Sequence, residues 1–139
     1  MNADDNKALI RRWLRMGEQG FTGDFNEYFA PGYCGHLSAQ RPQSLGDLIR
    51  LERGFAAAFS NISYTVEDLL AVDDKVVLRS TTRATHTGEF HGVDPTGRQV
   101  TVTGIVIYKV LDGRIVESWG ELDLMGLFRQ LRSPQDSVR

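Results

Sequence analysis

Residues 83–99, which read RATHTGEFHGVDPTGRQ, collect the side chains of this chain that are best suited to proton transfer. The segment holds two of the three histidines, and an imidazole can give or take a proton near neutral pH. His86 continues the alternation of Leu78 and Ala84 along the preceding β-type run, and we expect that side of the strand to face an internal cavity. The pattern predicts His86 as a catalytic residue at the mouth of a pocket. The alternative is that His86 hydrogen-bonds the loop that follows it.

Glu121 is the second predicted catalytic residue. It lies between a β-type run and the last helical pattern, where a local bulge could turn its carboxylate into the same cavity. The alternative is a solvated position at the end of a strand. Asp123 directly precedes LMGLFRQL, and we interpret it as the N-cap of that helix, a role worth about 1 kcal/mol. Arg79 and Glu117 are predicted to form a cross-strand ion pair on the outer face of the sheet.

The motifs in the sequence predict no cofactor. The histidines at positions 36, 86 and 91 lack the spacing of zinc ligands, and Cys34 is the single cysteine, so we predict no metal site. No glycine-rich phosphate-binding loop precedes a helix, which argues against a nucleotide.

The composition is typical of a globular domain. The chain has 139 residues, of which 41 % are hydrophobic and 24 % charged, and its formal net charge is −2. We predict one domain at residues 1–132 and a flexible tail at residues 133–139. No basic cluster indicates a nucleic-acid partner, and no apolar run approaches the ~18 residues that cross a membrane. The charged N-terminus does not resemble a signal peptide, and with the lone cysteine this predicts a cytoplasmic protein.

The elements that must position these residues follow an α+β order. Apolar residues at helical spacing within residues 9–17 predict a first helix that is capped by Asp4 or Asp5, and Asp24 is predicted to begin a short second helix. Four β-type runs follow between residues 62 and 120, and a last helix closes the chain. Ser44 is predicted to cap a third helix whose shared apolar face consists of Leu48, Leu51, Phe55 and Phe59.

The Asp-Gly turn at residues 112–113 is the strongest hairpin signal and allows two registers. A two-residue loop places Val106 opposite Trp119, whereas a three-residue loop with a bulge places Val106 opposite Ser118. We favour the bulged form, because it gathers mostly small side chains beneath the helices and leaves space there for a guest molecule. The bulged form places Ile115 on the other face. That face is apolar and has no helix to cover it, which predicts a homodimer through the sheet.

Three segments of the chain resemble the SnoaL-like polyketide cyclases of the nuclear transport factor two-like superfamily: THTGEFHGVDPTGR, VTGIVIYKVLDGRIVESWGELD and GLFRQL. The resemblance implies a cone-shaped α+β barrel, in which a strongly bent antiparallel or mixed sheet, N-terminal helices and a C-terminal helix enclose an apolar pocket. It also implies an apolar small-molecule ligand and ring closure by aldol chemistry without a cofactor.

The residues that the resemblance assigns to aldol chemistry are not retained. The acid/base aspartate of the characterised cyclases falls at Gly120, the assisting histidine at Val106 and a pocket asparagine at Gly35. Glycine and valine cannot transfer a proton. We expect a cofactor-independent cyclase or isomerase that acts on a polyketide-like or other oxygenated apolar metabolite. The alternatives are an epoxide-opening enzyme and a non-catalytic ligand-binding or accessory protein of the same fold.

The predicted pocket wall combines aromatic residues of the helices with small and polar residues of the sheet. The predicted ligand-binding residues are Trp13, Tyr33, His36, Phe55, Phe59, Val106, Tyr108, Ser118 and Gly120.

Overall fold

The computed structural model describes residues 2–38 and 40–132, which form three α-helices, one 3-10 turn and six strands. The predicted tail at residues 133–139 lies outside the described residues. The helices are α1 (Ala3–Glu18), α2 (Leu45–Ala58) and α3 (Leu124–Arg132), and the 3-10 turn is Phe25–Glu27. The strands are β1 (Phe29–Leu37), β2 (Gln43–Ser44), β3 (Phe59–Val72), β4 (Lys75–His86), β5 (Gln99–Leu111) and β6 (Arg114–Leu122).

The six strands form one curled sheet in the order β2-β1-β6-β5-β4-β3. β1 runs parallel to β6, and the other neighbours are antiparallel, so the sheet is mixed. The predicted α+β class with a bent sheet and flanking helices is confirmed. In the described part of the chain, no helix combines the length and the apolar character that a membrane crossing requires.

α1 supplies the centre of the core. Its N-cap is Asn2, whose side chain accepts a hydrogen bond from the Asp5 backbone N–H, while the Asp5 carboxylate accepts one from the Asn2 N–H. The prediction that Asp4 or Asp5 is the cap is therefore wrong, although Asp5 completes the capping box. The Trp13 ring packs against Phe25 and Phe29, with ring centroids 5.4 and 4.7 Å apart. These rings tie α1 to the start of β1.

α2 begins at its predicted cap. The Ser44 hydroxyl accepts a hydrogen bond from the Asp47 N–H, and the Asp47 carboxylate accepts one from the Ser44 N–H. The predicted apolar face is only partly correct, because the helix ends at Ala58 and Phe59 is the first residue of β3. Leu51 is 42 % exposed, whereas Leu48 is buried.

The β5–β6 hairpin combines two features, and neither predicted register is correct. Asp112 and Gly113 have φ values of +50° and +78°, as a two-residue type I′ turn requires. One extra residue then bulges from β6, so that Val106 lies opposite Gly120. The predicted sorting of Val106 and Gly120 onto one inner face is nevertheless correct. Ile115, which we predicted on the outer face, precedes the bulge and is fully buried.

The polar residues around β4 and β6 also differ from expectation. Arg79 forms an ion pair with Asp68 of β3 at 2.7 Å, and Glu117 pairs with His36 at 2.8 Å. The predicted Arg79–Glu117 pair is wrong because β5 lies between the strands that carry the two residues. Asp123 is confirmed as the cap of α3, since its carboxylate accepts a hydrogen bond from the Gly126 N–H at 2.9 Å.

Candidate active-site cavity

A partly open cavity of about 110 Å³ lies between α1, α2 and the inner face of the sheet. Its wall is mostly apolar, with Trp13 of α1 and Leu48 of α2 among the apolar residues, and polar side chains reach it from both the helices and the strands. Seven of the nine predicted ligand-binding residues line it: Trp13, Tyr33, His36, Val106, Tyr108, Ser118 and Gly120. The structure therefore brings together most of the predicted pocket wall.

Phe55 and Phe59 do not line this cavity. The two rings stack on each other with centroids 4.6 Å apart, and Phe59 is fully buried in the core. Phe55 instead lines an open groove of about 540 Å³ between α2 and the loop after β4. We call this the outer groove; it adjoins the cavity through two shared residues, Gln43 and Leu51.

His86 lies away from the cavity, so the prediction that it occupies the pocket mouth is wrong. Its ring is fully buried and stacks on Phe59, with centroids 5.1 Å apart. Nδ1 accepts a hydrogen bond from the Thr96 backbone N–H at 3.1 Å and also contacts the Thr96 hydroxyl at 3.0 Å. His86 holds the loop that follows β4, which is the alternative that the sequence left open.

Glu121 also lies outside the cavity. Val106 pairs with Gly120 and Ile105 with Glu121, so the alternation of β6 directs Glu121 to the outer face. The carboxylate is exposed and accepts a hydrogen bond from the Ser38 hydroxyl at 2.9 Å. The prediction that a local bulge turns Glu121 inward is wrong, because the bulge of β6 occurs earlier in the strand.

Glu52 is the cavity residue that the sequence analysis missed. It lines the cavity from α2, the residue is half-buried, and its carboxyl group makes no hydrogen bond or ion pair with the described residues. Burial raises the pKa of Glu52 to about 7 from its ordinary value of 4.5. The available signal was its spacing, since Glu52 follows Leu48 by four residues and shares its helix face.

Two phenols accompany Glu52 in the cavity. The Tyr33 hydroxyl is 2.6 Å from the Ser118 hydroxyl, and Tyr108 is buried. Burial raises the pKa of both Tyr33 and Tyr108, and the negative charge of Glu52 raises each further. Both phenols therefore keep their protons near neutral pH and can donate hydrogen bonds. The cavity thus contains one carboxyl group with a pKa of about 7 and two phenol groups that stay protonated and can donate hydrogen bonds.

His36 stands at the edge of this arrangement. The residue borders the cavity, but its ring lies on the outer side of the sheet, because β1 alternates and Tyr33 faces inward. There the ring stacks on Trp119 with centroids 5.7 Å apart and is hydrogen-bonded through Nε2 to Glu117. Cys34 lies beside it, with Sγ 3.7 Å from the same Nε2 atom. The ligand atoms of Cys34, His36 and Glu117 all lie within 4.8 Å of one another, a spacing that could hold a metal ion. Sequence spacing did not reveal this group, because Glu117 comes from a distant part of the chain.

A sequence model of the SnoaL-like polyketide cyclases matches residues 7–131 of the chain. The chain belongs to the SnoaL-like polyketide cyclase family. The comparison with curated protein sequences gives no match.

Several solved structures resemble this SnoaL-like protein over nearly their whole length. AclR of Streptomyces galilaeus, described as a candidate hydroxylase, is 27 % identical, with a TM-score of 0.88 over 96 % of this chain and 100 % of its own. TsrD of Streptomyces laurentii is 26 % identical, with a TM-score of 0.83 over 96 % of this chain and 99 % of its own. IdmH of Streptomyces antibioticus, described as a candidate polyketide cyclase, is 30 % identical, with a TM-score of 0.79 over 91 % of this chain and 97 % of its own.

The family resemblance predicts that Gly35, Val106 and Gly120 of this SnoaL-like chain occupy catalytic positions, and none of these three side chains can transfer a proton. Val106 and Gly120 face each other on the cavity wall. A Cβ atom at Gly35 would collide with the Tyr33 hydroxyl. The phenol of Tyr33, which is hydrogen-bonded to Ser118, therefore occupies the space that a side chain at position 35 would need. The carboxyl group that does face the cavity comes from α2 instead of β6.

Proposed function

We propose that this SnoaL-like protein is a cofactor-independent cyclase or isomerase that uses Glu52 as its acid/base residue. The observation that supports this proposal is the unpaired Glu52 carboxyl group in the cavity, whose pKa burial raises to about 7. A group that titrates near the working pH can both accept and return a proton efficiently. Glu52 then does the work that the family resemblance assigns to an aspartate at position 120.

The reaction begins with proton transfer next to a carbonyl group of the substrate. The Glu52 carboxylate takes a proton from the carbon beside the carbonyl, and the C–H electron pair moves to form an enolate. The phenol of Tyr108 donates a hydrogen bond to the enolate oxygen, where the negative charge collects. The enolate carbon attacks a second carbonyl of the same molecule, and the protonated Glu52 gives its proton to the alkoxide that forms. Alternatively, where the enolate is conjugated with a carbon–carbon double bond, Glu52 returns the proton to the far carbon of that system. The first route closes a ring and the second isomerises the substrate.

The size of the cavity limits which part of the substrate reaches Glu52. A cavity of roughly 150 Å³ holds one benzene molecule, and this cavity has about 110 Å³. It therefore admits a short branch, such as an acetyl group, and not a complete ring. The remainder of a larger metabolite extends past Gln43 and Leu51 into the outer groove, whose volume is about 540 Å³. We propose an elongated, oxygenated, polyketide-like substrate that places one end in the cavity.

The test follows proton exchange, which does not require the natural substrate. Acetophenone and related one-ring and two-ring aryl ketones are incubated with the protein in D₂O, and NMR measures the loss of the protons next to the carbonyl. We expect the wild-type chain to accelerate exchange over buffer and Glu52→Gln to lower the rate by roughly 10²–10⁴-fold. Glu27→Gln is the matched control, because Glu27 is exposed and does not line the cavity. Equal rates for Glu52→Gln and wild type would contradict the proposal.

The absence of proton-transfer groups at Gly35, Val106 and Gly120 favours a second candidate, a ligand-binding or accessory protein without turnover. The same ketones distinguish the two functions. A binding protein raises its melting temperature in their presence, but it leaves the exchange rate at the level of buffer.

We further propose a cytoplasmic homodimer. The outer face of the sheet exposes large apolar side chains, among them Leu70, Ile105 and Trp119, which a second copy of the chain would cover. The lone cysteine is consistent with a reducing compartment.

A further inference from the structure

Cys34, His36 and Glu117 form a cluster on two adjacent strands. Cys34 and His36 are two residues apart in β1, so their side chains point to the same side of the sheet. Cys34 lies directly opposite Glu117 in the parallel pairing of β1 with β6. His36 Nε2 lies 2.8 Å from Glu117 Oε2 and 3.7 Å from Cys34 Sγ, and the three ligand atoms all lie within 4.8 Å of one another.

The strands and one aromatic ring hold the cluster in place. Trp119 stacks on the His36 ring with an interplanar angle of 13°. All three residues are half-buried, and the side chains of His36 and Glu117 are 32 % and 33 % exposed. In the single chain the site is accessible to an ion, and its ligands come from paired strands, which limits the reorganisation that binding requires.

We propose that Cys34, His36 and Glu117 bind a divalent transition-metal ion, for which Zn²⁺ is the best match. A thiolate, an imidazole and a carboxylate are the three ligand types that zinc takes in proteins, at about 2.3, 2.0–2.1 and 2.0–2.2 Å. Tetrahedral angles then separate the ligand atoms by roughly 3.3–3.6 Å. The His36–Cys34 distance is close to this range, and the His36–Glu117 hydrogen bond must lengthen by about half an ångström.

Binding exchanges protons for the ion. The Cys34 thiol releases its proton, the neutral His36 donates its Nε2 lone pair, and the Glu117 carboxylate supplies one oxygen. A water molecule completes four-coordination. This set of three ligands includes a sulfur atom, so it favours zinc over the hard cations Mg²⁺ and Ca²⁺. Tyr33 and Ser118 face the cavity, so the alternation of β1 and β6 places the ion on the outer side of the sheet, next to Trp119.

Cobalt spectroscopy tests this site directly, because Cys34 is the only cysteine of the chain. Metal-free protein is titrated with Co²⁺, and a thiolate-to-cobalt charge-transfer band reports coordination by Cys34. We expect a band that saturates at one ion per chain and disappears when Zn²⁺ is added. Zn²⁺ should also protect the Cys34 thiol from a thiol-reactive dye. A wild-type chain with neither the band nor the protection overturns the proposal.

Variants test whether Cys34, His36 and Glu117 all bind the ion or whether Cys34 binds it without the other two. Glu117→Gln keeps a hydrogen-bond partner for His36, so the fold is expected to persist, and circular dichroism checks this. We expect Glu117→Gln and His36→Ala to weaken Co²⁺ binding by more than about 10-fold and Cys34→Ser to abolish the band. His91→Ala, an exposed histidine outside the cluster, should bind as the wild type does. Wild-type affinity in Glu117→Gln overturns the three-ligand site.

Discussion

At the scale of single residues, Glu52 links the stability of the fold to its proposed chemistry. Its ionised form is disfavoured in the folded chain, because burial raises the pKa from 4.5 to about 7. The unfolded chain loses the Glu52 proton at lower pH than the folded chain does. The contribution of Glu52 to stability is therefore fully present below about pH 4.5, decreases between pH 4.5 and 7, and stays constant above pH 7.

Replacing Glu52 by glutamine should remove this pH dependence. Glutamine cannot ionise, so we expect Glu52→Gln to gain about 2–3 kcal/mol in unfolding free energy relative to wild type between pH 5 and pH 8. Urea denaturation at the two pH values measures this difference. Glu27→Gln should show no such change. An identical effect of Glu52→Gln at both pH values would mean that Glu52 titrates normally, and its proposed acid/base role would lose its basis.

Sequence patterns predicted most of the cavity wall but not Glu52. Trp13, Tyr108 and Ser118 were predictable, because helix and strand periodicity determine which face a residue occupies. Glu52 was overlooked because an acidic residue in a helix normally faces solvent. His86 was misjudged for a different reason. Its side chain does point to the inner side of β4, as its parity predicted, but it packs under the loop after the strand and not at the cavity.

At the scale of elements, α2 carries the Glu52 carboxyl group into the cavity, and the Ser44 hydroxyl caps the start of this helix. Ser44→Ala removes the acceptor for the Asp47 N–H, and we expect a loss of about 1 kcal/mol in unfolding free energy. Glu52 lies about two helical turns after Ser44. Loosening the start of α2 should therefore displace the Glu52 carboxyl group and slow the exchange of ketone protons. Thermal and chemical denaturation measure the stability. Ser63→Ala is the matched control, since Ser63 is exposed and caps no helix. An equal loss of unfolding free energy in Ser63→Ala would show that the loss in Ser44→Ala does not come from the helix cap.

The hairpin of β5 and β6 shows which part of an element a local sequence pattern can predict. Asp112 and Gly113 determine the turn, since both adopt positive φ. The bulge that follows has no local signal. It coincides with an irregularity in β1, whose pairing with β6 shifts between Phe29 and Cys34. β6 is hydrogen-bonded to β5 on one side and to β1 on the other. Its register therefore depends also on β1, about 80 residues away in sequence, and a rule about the turn alone cannot predict it.

At the scale of the whole molecule, the outer face of the sheet is the surface through which we propose that two chains pair. Ile105 and Trp119 are 47 % and 36 % exposed on neighbouring strands, and three helices already cover the inner side. An apolar face of this kind is stable in water when a second copy covers it. We therefore expect the wild-type chain to sediment as a dimer.

Ile105→Lys should convert that dimer to a monomer, because the interface would have to bury an unpaired ammonium group. Analytical ultracentrifugation over a range of protein concentrations measures the change. Met125→Lys is the matched control: Met125 is 75 % exposed on α3, so the same charge placed there should leave the dimer intact. A wild-type chain that sediments as a monomer at all concentrations would contradict the assembly. If Ile105→Lys is monomeric yet still exchanges ketone protons at the wild-type rate, each chain contains a complete site, as expected from a cavity lined by residues of one chain.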